Sequence, residues 1–338
     1  MHWLERTLGR ARDVLGKGSL QDTKAETAAK EWDSSVLKLL EAQGDREKQL
    51  LALVASHQDS VESMQKELVA CRRSLEEYRR ILTALQFQVT RDTIAELIQF
   101  SEERQYSFEE TLSRIIDRQL SFARFGDGEF RLMIDASYKL GFQRNTQRIR
   151  TALRHVLTQE HTDRLLLGWP QIYRNINGAI LWPLVWRDLK EIVPSRLKFG
   201  NSHVSRPIMF SDLREEAVTL WRQVWDGQRV CIITGEGSRF EVVSGLFDNL
   251  AGHRFLYSTP RNAFDDLPRV FAEVQRGERA DIYLLALGPA GTILATELAD
   301  AGYRAIDVGH ISDSYLNQFA GQPLPEHKPA VRAREAAR

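Results

Sequence analysis

The 338-residue chain has two cysteines, no apolar run of about 20 residues and no excess of either charge, and each shortage removes a class of function. Cys71 and Cys231 lie far apart without metal-ligand spacing, which excludes a disulfide framework and fits a reducing compartment. Lys plus Arg equals Asp plus Glu at 46 each, so the basic footprint of a nucleic-acid binder is missing and no such partner is expected. The start also lacks a signal-peptide apolar region and cleavage site, and with no spanning segment the expectation is a cytoplasmic protein. The stretch from Met1 to Lys17 spaces Trp3, Leu4, Leu8, Ala11 and Leu15 near helical period among Arg6, Arg10, Arg12 and Lys17. Such a pattern can rest peripherally on the anionic inner face of a membrane, or form a short helix packed on its neighbour.

Glycine and proline are absent from Asp45 to Val89, and within that stretch the apolar positions keep a strict four-three spacing: Leu50, Val54, His57, Val61, Met64, Leu68, Cys71, Leu75, Tyr78, Leu82, Leu85 and Val89. A sustained 3.5-residue period predicts a coiled coil and a homo-oligomer; the competing reading lays a long helix along its own domain. His57 and Cys71 fall in the seam, where no ligand partners stand at fixed spacing. The resulting organisation is an N-terminal helical segment over residues 1–44, a coiled coil over 45–90, a helical connector over 91–120 with an N-cap at Ser107, a globular domain over 121–319 and a disordered tail over 320–338.

Inside the globular part, apolar strand patterns alternate with helix patterns: strand Arg229–Thr234, helix from about Arg239 to Leu250, strand Arg254–Ser258, helix from about Asp265 to Gln275, strand Asp281–Leu287, helix from about Thr292 to Ala301 and strand Arg304–Val308. This alternation predicts an α/β, Rossmann-like, doubly wound and mostly parallel sheet, which binds ligands beyond the carboxyl ends of its strands.

Four loops leave strands at that end: Arg124–Phe130, Thr234–Arg239, Ser258-Thr-Pro-Arg-Asn-Ala-Phe264 and Gly288–Thr292. In Arg124-Phe-Gly-Asp-Gly-Glu-Phe130, Asp127 and Glu129 stand two apart, so in extended or turn geometry both carboxylates can project to one side and bridge a hard divalent cation, Mn2+ or Mg2+, to a phosphate. An Asp-Gly-Glu triplet is also a common solvated turn. In Gly288-Pro-Ala-Gly-Thr292 the backbone N–H groups at a helix start suit a diphosphate, with Thr292 as cap and Gly291 permitting close approach; a tight turn needing glycine is the alternative. Thr234-Gly-Glu-Gly-Ser-Arg239 has Phe240 where a dinucleotide fingerprint needs its third glycine, which disfavours NAD; Glu236 and Ser238 offer hydrogen bonds to a ribose or base, and Arg239 a phosphate contact. Arg206 adds a cation before a stiffening Pro207. Trp169, Tyr173, Trp182 and Trp186 read as core rather than as a sugar platform.

Taken in order, Arg124-Phe-Gly-Asp-Gly-Glu129, Ser205-Arg-Pro207, Gly235-Glu-Gly-Ser-Arg239, Leu246-Phe-Asp-Asn249, Asn262-Ala-Phe264, Ala286-Leu-Gly-Pro289 and Ala301-Gly-Tyr-Arg-Ala-Ile-Asp-Val-Gly-His310 resemble the GT-D type glycosyltransferases over roughly residues 120–319. The resemblance implies a hexosyltransferase with a nucleotide diphosphate sugar donor, UDP-linked, a glycan or glycoprotein acceptor and a metal on Asp127 and Glu129. Donor contacts are expected from Arg124, Gly126, Arg206, Glu236, Ser238, Arg239, Asn262, Gly288, Pro289, Gly291 and Thr292. The family commonly continues past the Gly-His pair with an acidic and aromatic run, whereas here the acid is displaced to Asp313. His310 is the candidate base, because an unperturbed imidazole titrates near neutral pH. The rival readings are another nucleotide-dependent Rossmann-like enzyme, an oxidoreductase or phosphohydrolase, and a non-catalytic coiled-coil scaffold with a nucleotide-sugar-binding domain.

Overall fold

The structure is a computed structural model and describes residues 22–172 and 176–328. The chain divides into two compact units, Met1–Leu82 and Thr83–Arg338. In the first, the described structure belongs to one helix, Asp22–Arg104, whose seam positions from Leu50 to Leu82 are all exposed. The segment Met1–Lys17 lies outside the described residues. Among those described, no helix is long and apolar enough to cross a membrane.

The second unit takes up the end of that helix. Leu97 is fully buried, and Phe100 packs on Trp169 and Trp186 with ring centroids 4.9 Å away in each case. Helix thus runs unbroken into the segment read as a helical connector and ends at Arg104, and the chain turns at residues 105–107. The next helix, Phe108–Asp117, starts at the expected cap, with Ser107 Oγ accepting from the Glu110 N–H and the Glu110 carboxylate accepting from the Ser107 N–H.

Strands β1 (Ser121–Arg124), β2 (Leu165–Trp169), β3 (Gly200–Asn201), β4 (Arg229–Gly235), β5 (Gly252–Ser258), β6 (Ile282–Ala286) and β7 (Ala305–Asp307) form one sheet in the order β3-β2-β1-β7-β6-β4-β5, every pairing parallel. Parallel strands are covered on both faces, which explains the unbroken apolar runs of β4 and β6. Successive side chains alternate between two cores: Cys231, Ile233, Tyr283 and Leu285 join Phe130, Trp169 and Leu294 on one face, while Val230, Ile232, Ile282 and Leu284 join Phe122, Trp221 and Trp225 on the other. Trp169, Trp182 and Trp186 are buried core, as read; Tyr173 lies outside the described residues.

Two expectations fail. In place of a helix over about 239–250 there is only Ser244–Phe247. Local bonds compete for the backbone there: Ser238 Oγ accepts from the Phe240 N–H at 3.1 Å, and Ser312 Oγ donates to the Glu241 carbonyl at 2.6 Å. Residues 321–328 of the tail take a defined path. Gly321 caps helix Ile311–Ala320 at φ 64°, and a 3-10 turn, Pro325–His327, follows with Pro325 buried.

Candidate active site

The connection after β4 runs to the edge strand β5, whereas the connection after β6 runs the other way to β7. Their carboxyl ends therefore diverge, and a crevice opens where the strand order reverses. A cavity of about 450 Å3 occupies this end of the sheet, lined by the segments after β1, β3, β4, β5, β6 and β7 and by the C-terminal turn.

Arg124, the last residue of β1, is the cation at its floor. Its guanidinium donates to Asp307 Oδ1 at 2.9 Å, to Ser205 Oγ at 2.7 Å and to the Ser202 carbonyl at 3.2 Å. Asp307 closes β7, only 3% of its side chain exposed, and also accepts the Gly309 N–H at 3.0 Å. Burial holds the Asp307 carboxyl above the ordinary aspartate range, with Arg124 pulling the other way. No site role for Asp307 emerged from the sequence, although an acid inside the apolar strand Ala305-Ile-Asp-Val308 is itself a signal.

Asp127 and Glu129 do not stand side by side. They open helix Asp127–Ile134, where residues two apart point to different sides of the axis. Asp127 is exposed on the cavity wall. Glu129 turns back to cap its own helix, accepting the Gly126 N–H at 2.8 Å, and burial raises its pKa to about 7. Among the described residues no group of three or more His, Cys, Asp or Glu side chains is arranged to hold a metal. Asp127 by itself fits the way Mg2+ is commonly held, by one or two carboxylates together with substrate phosphates.

Arg206, N-cap of helix Pro207–Leu213, pairs with Glu326 of the C-terminal turn. Arg239 binds Asp313 at 2.7 Å and donates to the carbonyls of Pro325 and Lys328, both at 2.8 Å. Lys328 reaches the other oxygen of Asp313 at 2.8 Å. The C-terminal turn, expected to be disordered, thus forms part of the cavity wall. Among the lining residues five cations, Arg124, Arg206, Arg239, Arg261 and Lys328, meet six acids, Asp127, Glu129, Glu236, Asp307, Asp313 and Glu326. An anionic ligand here must compete with carboxylates that the protein already supplies.

His310 lines the cavity. Desolvation and the guanidiniums of Arg206, Arg239 and Arg124 push its pKa down to about 3, and Arg239 Nη2 lies 3.2 Å from its Nδ1, which suits an unprotonated acceptor. Desolvation first and these three cations after it thus hold the imidazole below the near-neutral range expected from sequence, and no spacing along the chain reveals either.

Gly126, Glu236, Ser238, Gly288 and Pro289 also line the cavity, whereas Asn262, Gly291 and Thr292 do not. Asn262 adopts φ 56° and accepts the Arg144 N–H at 2.8 Å, which fixes the loop bearing Phe142 and Gln143, two wall residues absent from the sequence reading. Thr292 is no cap. It lies inside helix Pro289–Asp300, and its hydroxyl donates to the Arg124 carbonyl at 2.7 Å. The Gly291 N–H is spent on the Gly288 carbonyl at 2.7 Å, and Pro289 has no N–H, so the phosphate cradle expected here loses two donors.

The left-handed residue is Gly288, at φ 58°, where a Cβ would also lie 2.7 Å from the Phe142 ring. At Gly291 a Cβ would meet Asp307 at an ordinary 3.6 Å. Gly288→Ala is therefore expected to cost about 1–3 kcal/mol in denaturant unfolding and Gly291→Ala about 1 kcal/mol or less. Equal losses would contradict this division of roles.

A family model described as the glycosyltransferase GT-D fold matches residues 122–321. The glycosyltransferase GlyD of Streptococcus pneumoniae serotype 4 is 25% identical over 254 residues, covering 72% of this chain and 31% of the relative. A probable glycosyl transferase Gly of Streptococcus gordonii is 27% identical over 231 residues, covering 63% and 33%. The chain thus spans about a third of the length of these curated relatives. Among solved structures, a new glycosyltransferase from Streptococcus sanguinis superposes with a TM-score of 0.62 at 23% identity, covering 69% of this chain and 94% of that one. A domain of unknown function 1792 with a distinct glycosyltransferase fold gives 0.62 at 24%, covering 72% and 91%. These last two are likenesses of fold.

Proposed function

The chain belongs to the glycosyltransferase GT-D fold family, and from that premise we propose that it moves a hexose from a UDP-linked donor to a hydroxyl of a glycan or glycoprotein in the cytoplasm. The observation that carries this reading is the convergence of the Asp127 carboxylate with Arg124, Arg206 and Arg239 in one cavity at the carboxyl end of the sheet. The departing nucleoside diphosphate develops negative charge, and cations already positioned in the cleft stabilise it more than mobile solvent does. A divalent cation on Asp127, Mn2+ or Mg2+, would add Lewis-acid neutralisation of that diphosphate.

The pairings rank the cations. Arg124 is held by Asp307, which is nearly inaccessible, and Arg239 by Asp313, which is 7% exposed. Arg206 is held by Glu326, which is 51% exposed on the C-terminal turn. A diphosphate therefore replaces the Glu326 carboxylate most easily. Its charge would also offset the cations that depress His310, raising the imidazole's proton affinity when the acceptor hydroxyl has to be deprotonated. In that reading His310 is a base made competent by donor binding.

A screen of nucleotide sugars by thermal shift, with and without Mn2+, tests the proposal. UDP-sugars are expected to raise the melting temperature by mass action. Asp127→Ala should keep the ligand-free melting temperature and lose the metal-dependent part of the shift. Glu326→Ala should tighten UDP binding about twofold to fivefold, the equivalent of an exposed ion pair removed from the competition. Absence of any shift with nucleoside diphosphates, in the wild type and in Glu326→Ala alike, would overturn the donor assignment.

A further inference from the structure

The helix of the first unit carries an apolar stripe that nothing in the described chain covers. At the seam positions from Leu50 to Leu82, Leu50 is 61% exposed, Leu68 54%, Leu75 62% and Leu82 65%, and His57 and Cys71 are exposed among them. Such a stripe extends about 48 Å along the helix, and an exposed contiguous apolar surface of that length marks an interaction site. The four-three spacing assigns Val54, Val61, Leu68, Leu75 and Leu82 to the a positions of a heptad and Leu50, His57, Met64, Cys71 and Tyr78 to the d positions.

We infer that this stripe is covered by a second copy of the chain, in a two-stranded coiled coil that is parallel and in register. Three features on the helix agree. First, Glu67 occupies a g position and Arg72 the e position of the next heptad, the two places that face each other across a parallel dimer, so the pair forms twice by symmetry. In the antiparallel arrangement that overlaps the same seam, Arg72 meets Gln65 and Glu67 meets Ser60, leaving both charges without a partner. Second, the parallel arrangement sets His57 beside its own copy, where one neutral imidazole can donate to the other. The antiparallel one sets each His57 against Leu75, which can satisfy neither ring nitrogen. Third, β-branched residues at a with leucine at d favour two strands, and the N-terminal end of the seam follows that rule at Leu50, Val54 and Val61, whereas the leucines at the a positions 68, 75 and 82 do not add to it.

In a parallel, in-register pair every seam residue faces itself, so Cys71 stands beside Cys71 of the other copy. Cys71 is an exposed free thiol and Cys231 a buried one, which makes the former a selective probe. Oxidation of the 338-residue chain with copper phenanthroline, two Cu(II) complexes each accepting one electron to become Cu(I) and the two thiol protons passing to solvent, should yield a disulfide-linked dimer. Cys71→Ser should abolish it. In the Cys71→Ser background, Leu50→Cys and Leu82→Cys should each cross-link to themselves. In an antiparallel pair a residue meets its own copy only near the crossing point, so positions 50 and 82 cannot both do so. Light scattering of the unoxidised protein at micromolar concentration should give twice the chain mass. A monomeric mass, a mass above the dimer, or cross-linking at only one of the two engineered positions would overturn the inference.

Discussion

Arg124→Ala is expected to lower the melting temperature by roughly 10 °C and to abolish anion binding in the cavity. Removing one partner of a buried ion pair costs about 3–5 kcal/mol, and in a domain of this size each kcal/mol is worth about 2–4 °C. The loss comes mainly from what is left behind: Asp307, 3% exposed, would keep a carboxylate whose remaining partner is the Gly309 N–H. Adding Asp307→Asn to Arg124→Ala should therefore restore part of the stability while leaving anion binding absent. Arg124→Lys should rescue poorly, because one ammonium cannot reproduce the planar fork that reaches Asp307, Ser205 and the Ser202 carbonyl together. Calorimetry and UDP titration on the same variants separate the two effects. If Arg124→Ala melts like the wild type, the buried pair is not what organises the floor of the cavity.

Glu129→Gln is the second variant with a large expected effect, and its sign depends on pH. A carboxyl raised from its ordinary range to about 7 binds more protons folded than unfolded between pH 4.5 and 7. Stability from this group is thus fully present below about pH 4.5 and falls as pH rises through 7, by roughly 3 kcal/mol at most. Glutamine keeps an oxygen to accept the Gly126 N–H and has nothing to ionise. The variant should match the wild type near pH 4.5 and exceed it at pH 8, in unfolding curves measured side by side. His203, held near pKa 3 mainly by burial, slopes the opposite way in both proteins and cancels in the difference. A pH-independent difference would mean that Glu129 is ionised throughout, and loss of metal-dependent donor binding in this variant would return it to the metal site.

The course of the sheet was legible along the chain because parallel strands buried on both faces must be apolar throughout, as in Val230-Cys-Ile-Ile233 and Ile282-Tyr-Leu-Leu285. The strand Leu165–Trp169 is not legible in the same way, because its tryptophan falls into the aromatic cluster that follows. The helical stripe from Leu50 to Val89 was equally plain, since a period needs no tertiary context to be seen. Local caps followed too, as Ser107 and Glu110 show, because donor and acceptor are only three residues apart. What the sequence alone determined were periodicities, strand-end loops and the order of motifs that marks the family.

Tertiary structure decided which of those groups meet, and in what charge state. Arg124 and Asp307 are 183 residues apart along the chain and 2.9 Å apart in space. Helical geometry separates Asp127 from Glu129, although their spacing suggested a shared ion. Gly288 rather than Gly291 takes the left-handed backbone, because the helix begins one residue after the former and encloses the latter. The His310 imidazole is pushed below its near-neutral range by desolvation in the cavity and by three arginines contributed by separate loops, two of which, Arg206 and Arg239, also hold the C-terminal turn, since electrostatic interaction depends on distance through space and on local solvation, and neither can be read from position along a chain.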